Sequence, residues 1–123
     1  MTFSIEHHDK YTIVRVEAEK VGGLVSPELK AKFVELNAEG IRNVVFNMQK
    51  ARYCDSSGLS AILVGNRLCK NSNGSFVICQ LNELVSKLIQ ISQLESILTI
   101  TPTEQEAIDL LLMDEVGRDL ENE

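Results

Sequence analysis

The sequence predicts an α/β domain: a small mixed β-sheet of about five strands with about four helices packed largely on one side. Short apolar runs rich in β-branched and aromatic residues alternate with stretches whose apolar residues recur at three- and four-residue spacing. Two short runs open the chain back to back, so an antiparallel hairpin comes first. Helices separate all later strands, which requires right-handed crossovers and parallel pairing.

Phe3, Ile5 and His7 alternate with polar neighbours and make the first strand; Tyr11 to Val16 make the second, with His8-Asp9-Lys10 as the turn. Adjacent His7 and His8 point to opposite faces of a strand and cannot jointly hold a metal. Gly22-Gly23 marks a flexible loop. Ser26-Pro27-Glu28 then opens a helix, with Ser26 as N-cap and proline in the first turn. Leu29, Phe33 and Leu36 form its buried stripe, and Gly40 ends it.

Asn43 to Met48 is the third strand, and Leu59 to Cys69 is an amphipathic second helix. Asn71-Ser72-Asn73-Gly74 turns the chain into Phe76 to Cys79, the fourth strand. Asn82 caps a third helix carrying Leu84, Val85, Leu88, Ile89 and Ile91. Ile97 to Ile100 reads as a short fifth strand. After Pro102, Thr103-Glu104-Gln105-Glu106 has the form of a capping box. The helix it opens carries Ala107, Ile108, Leu111 and Leu112. Residues 1–113 are thus expected to form one domain, and the acidic stretch 114–123 a flexible tail.

A chain of 123 residues is long enough for one well-buried core. Its net charge of −6 and scattered lysines and arginines leave no basic face for nucleic acid. Cys54, Cys69 and Cys79 lack metal-ligand spacing, and three unpaired thiols suit a reducing compartment. There is no signal-peptide pattern and no run as long as a membrane span, so a cytoplasmic location is expected. No Ser-His-Asp arrangement, phosphate loop or dinucleotide fingerprint stands out, and neither an enzymatic activity nor a cofactor is expected. Glu104 and Glu106 are assigned to helix-start preference.

The most informative segment is Asp55-Ser56-Ser57-Gly58-Leu59, where the third strand's connection enters the second helix. Two hydroxyls stand where free backbone N–H groups and the positive end of the helix dipole favour negative charge. A phosphoryl group on Ser56 or Ser57 can be held there without a dedicated basic pocket. The same residues also read as plain N-caps. Gly58 either admits a partner's backbone or eases a tight turn.

The stretch Asn47 to Leu63, centred on that pentapeptide, resembles the signature segment of STAS domains, and most of all that of the bacterial anti-sigma factor antagonists. The likeness runs loosely over residues 3–113, through Val77-Ile78-Cys79, Val85, Lys87, Leu88 and Gln105-Glu106-Ala107. It implies a STAS-type sheet and phosphorylation of the first serine by an anti-sigma factor that is itself a serine kinase. By position the acceptor is Ser56, with Ser57 as the secondary candidate. The implied partner face comprises Asp55, Ser56, Ser57, Gly58 and Leu59 with Lys20, Gly22 and Gly23. A PP2C-like phosphatase would reverse the modification.

Two features depart from the family pattern. An acidic Gly-Glu-Leu-Asp-like segment is usual after the second strand, whereas Glu17 to Leu24 is about one residue longer and carries Lys20 near the usual aspartate. Ser60 stands where a glycine is common. Two other functions fit the same residues. One is a STAS scaffold subunit of a signalling or transporter complex, with structural serines; the other is a small-ligand carrier using a cleft by Gly22-Gly23 and Ser56.

Overall fold

The computed structural model describes residues 2–121. The chain opens with β1 (Phe3–His7), β2 (Thr12–Val16), a two-residue β3 (Lys20–Val21) and α1 (Ser26–Ala38). β4 (Val44–Asn47), β5 (Tyr53–Cys54) and α2 (Ser56–Asn71) follow, then β6 (Phe76–Cys79) and α3 (Glu83–Ile91). β7 (Thr99–Thr101) and α4 (Glu104–Glu121) complete the described chain.

A five-stranded sheet runs in the order β1-β2-β4-β6-β7. β1 pairs antiparallel with β2, and the other neighbours are parallel. Side-chain alternation divides the core between the two faces of this sheet. Val14, Val44, Phe46, Phe76 and Ile78 pack under α1, α2 and α3. Within that layer the rings of Phe33, Phe46 and Phe76 meet pairwise at 5.5–5.8 Å between centroids. Ile13, Val45, Val77 and Cys79 face the other way and are covered by Ala107 and Leu111 of α4. Because both faces are covered, β4 and β6 are buried along their whole length and read as continuous apolar runs.

Three expectations need correction, and one element had not been anticipated. Ser26 does not cap α1: Val25 holds that position, and Ser26 Oγ donates instead to the Ser57 carbonyl at 2.7 Å. The last strand begins at Thr99, because Ile97 and Leu98 are held in a turn by hydrogen bonds from their N–H groups to the Leu94 carbonyl. The short parallel pair β3–β5 had no signal in the hydrophobic pattern. Finally, residues 114–121 are not a frayed tail but continue α4. Glu115 ties that turn down by accepting from Arg42 at 2.6 Å and from Asn43 at 3.0 Å. Arg118 in turn donates to Ser75 Oγ at 2.9 Å and to Asn43 Oδ1 at 3.2 Å.

Candidate functional site

Asp55 is the N-cap of α2, with extended backbone and a carboxylate that accepts from the Gly58 N–H at 3.1 Å. Ser56 is therefore the first helical residue rather than the cap, and its side chain is exposed. Ser57 is half-buried, and its carbonyl is engaged by Ser26. Ser60 lies one turn in and is also half-buried. Of the three hydroxyl residues, Ser56 has the freest approach from solvent. The first N–H groups of the helix lack intrahelical partners, and Asp55 engages the one at Gly58.

The cap is positioned by the β3–β5 pair. Val21 stands opposite Cys54, and the Asp55 N–H donates to the Val21 carbonyl at 3.3 Å. The first turn of α2 presses so closely on β3 that a β-carbon at Gly58 would lie 2.1 Å from the Val21 oxygen and 2.7 Å from Cys54 Sγ. Gly58 is buried. Of the two roles the sequence allows Gly58, the tight packing within the chain is the one this contact requires. A β-carbon at Gly22 would similarly meet Asp55 Oδ2 at 2.8 Å. The β3–α1 loop is therefore laid against the cap. Leu59, also in the signature, is buried and belongs to the core.

Lys20 and Tyr53 are register partners, so both exposed side chains stand on one side of the small pair. Beside them lies a shallow depression of about 270 Å³ lined by Lys20, Gly22, Gly23, Leu24 and Val25. Ser56 is not among the residues lining this depression. Leu24, 93 % exposed, and Tyr53, 56 % exposed, add apolar surface at this end of the molecule. The run Arg52-Tyr53-Cys54 is too short to carry a period that would mark Tyr53 as outward, and nothing in the sequence marked Leu24 as exposed.

Cys54 is a poor nucleophile: burial first, and the Asp55 charge second, push its thiol up to about 11. Glu104 has a larger task than starting a helix. It receives two hydrogen bonds from Arg15, at 3.0 and 2.7 Å, and one from Asn47 at 2.6 Å. That fork joins β2, β4 and α4 at the carboxyl ends of the parallel strands, the end at which α2 begins. Arg15 is the leading cause of the lowered Glu104 pKa, against the opposing effect of burial.

Residues 2–107 match the family model of the STAS domain. The chain belongs to the STAS domain family. The anti-sigma F factor antagonist of Paenibacillus polymyxa is 26 % identical over 111 residues, covering 88 % of this chain and 92 % of that one. An anti-sigma factor antagonist from Mycobacterium paratuberculosis superposes with a TM-score of 0.79 at 17 % identity, over 89 % of this chain and 92 % of the other. The antagonist SpoIIAA in its unphosphorylated form gives 0.74 at 22 % identity, over 87 % and 93 %. The Bacillus SpoIIAA in its phosphorylated form gives 0.69 at 22 % identity, over 87 % and 96 %. These structural likenesses establish the STAS fold. Among the described residues, no helix is long and apolar enough to cross a membrane.

Proposed function

We propose that this STAS domain is an anti-sigma factor antagonist that binds an anti-sigma serine kinase while Ser56 is unmodified, and releases it once Ser56 is phosphorylated. The exposed Ser56 hydroxyl at the first turn of α2 carries the reading. The kinship with a named anti-sigma F factor antagonist, and the existence of SpoIIAA in both phosphorylated and unphosphorylated forms, support it.

The physical basis of the switch is local. A phosphoryl group adds about −1.5 to −2 charges. It would stand next to the Asp55 carboxylate, on a domain whose net charge is already −6. A partner seated on this end through Tyr53, Leu24 and a neutral Ser56 would have to desolvate that charge. A hundredfold loss of affinity requires only about 2.8 kcal/mol. Lys20, Gly22 and Gly23 border the same surface, and Lys20 gives it a cation that influences which kinase fits. A PP2C-like phosphatase would reset the state.

Phosphopeptide mapping after incubation with the anti-sigma kinase and ATP is expected to place the phosphate on Ser56 rather than on Ser57 or Ser60. Ser56→Ala should retain kinase binding, and Ser56→Asp should weaken it substantially. Equal affinities for the two variants by calorimetry would reject the switch and leave a scaffold whose serines are structural.

A further inference from the structure

The far half of α4 carries an apolar surface that neither the core nor the Ser56 site uses. Met113, Val116 and Leu120 are 71 %, 57 % and 64 % exposed. Their three- and four-residue spacing puts them on one line along the helix, opposite the buried Ala107 and Leu111. With Leu112 and Gly117 they line an open depression of about 450 Å³. A β-carbon at Gly117 would meet nothing within 4 Å, so the backbone there is open to close approach.

This surface is rigidly held. Glu115 and Arg118, on the inner side of the same turns, pair with each other at 2.6 Å and reach Arg42, Asn43 and Ser75. Asn43 and Ser75 immediately precede β4 and β6, so the stripe lies by the amino ends of the parallel strands. Ser56 is at their carboxyl ends. The stripe also lies beyond residue 107, where the match to the family model stops.

The surrounding charge selects the occupant. Arg118 is the only cation of α4, and Glu115 already engages it. Glu106, Asp109, Asp119 and Glu121 border or extend the stripe and make no ion pair among the described residues. Packing two copies stripe to stripe would bring these carboxylates together, which like-charge repulsion disfavours. We propose that the outer face of α4 over residues 112–120 is a second docking surface, for an amphipathic helix of a partner protein whose apolar stripe is bordered by lysine or arginine. Nine helical residues span about 14 Å, so the contact is small and of the transient class.

The test uses the full chain and a synthetic leucine–lysine peptide with leucines at helical three- and four-residue spacing. A second peptide carries glutamate for every lysine. Titration calorimetry is expected to show micromolar binding of the first peptide, with amide shifts confined to α4. The triple variant M113Q/V116Q/L120Q, with wild-type circular dichroism, should bind it at least roughly tenfold more weakly, and the glutamate peptide should bind wild type equally poorly. Absence of binding, or equal affinity for wild type and the triple variant, would overturn the proposal. So would light scattering that shows a wild-type dimer dissolved by the triple substitution, because the occupant would then be a second copy.

Discussion

Asp55 and Ser56 are neighbours with separable tasks. Asp55 satisfies a first-turn N–H through its carboxylate, a contact with a typical stability of about 1 kcal/mol. Ser56 makes no side-chain contact of that kind among the described residues, and its side chain is exposed. Urea denaturation should therefore show Asp55→Ala losing about 1 kcal/mol, while Ser56→Ala stays within about 0.5 kcal/mol of wild type. A larger loss for Ser56→Ala than for Asp55→Ala would mean that the serine, not the aspartate, fastens the helix start. The division matters for a switch. A residue free of structural duty can change its charge without unfolding the element that presents it.

At the scale of elements, the placement of α2 rests on its contact with the two-residue strand β3. The Val21 carbonyl is backbone and cannot rotate away from a β-carbon 2.1 Å distant, so accommodation requires the helix or the strand to shift. Gly58→Ala should accordingly cost at least the 1–3 kcal/mol typical of overpacking. It should also perturb the amide resonances of both Val21 and Asp55. Wild-type stability and an unperturbed spectrum in this variant would show that α2 is not pinned at this point. The same tightness explains how a loop distant in sequence stays aligned with the serine. β3 is bound to β5, β5 leads directly into the cap, and Gly22 lies against the Asp55 carboxylate.

For the whole molecule, the far end of α4 is fastened by charge, and that fastening depends on pH. Burial raises the Glu115 pKa, but hydrogen bonds from Arg118, Asn43 and Arg42 outweigh it and hold the carboxyl at about 2, against an ordinary 4.5. A depressed carboxyl pKa stabilises the fold above the unfolded-state value and loses that contribution as pH falls through the folded one. Stability should therefore decline between roughly pH 4.5 and 2, and Glu115→Gln should flatten that part of the profile while lowering stability at pH 7. Parallel acid profiles for the variant and wild type, followed by circular dichroism, would remove Glu115 from this role.

The amino-acid pattern by itself determined the large elements and the location of the serine. Runs such as Val44-Val45-Phe46 and Phe76-Val77-Ile78 are buried on both faces, so their composition announces strands whatever surrounds them. Asn82 and Thr103 cap their helices as the sequence predicts, because a cap is a contact across three residues and needs no distant partner. Only the tertiary structure decided what depended on contacts far apart in the chain. The β3–β5 pair is too short for a hydrophobic period and exists because residues 20–21 meet residues 53–54. Ser26 looked like a cap until its hydroxyl found the Ser57 carbonyl. Gly58 answers to Val21, far earlier in the chain. The acidic end of α4 has no apolar residue on its inner side to mark that side as packed, yet Glu115 and Arg118 secure it through Arg42, Asn43 and Ser75. Local propensity and periodicity act over a few residues; hydrogen bonds and ion pairs across tens of residues become available only once the chain has folded.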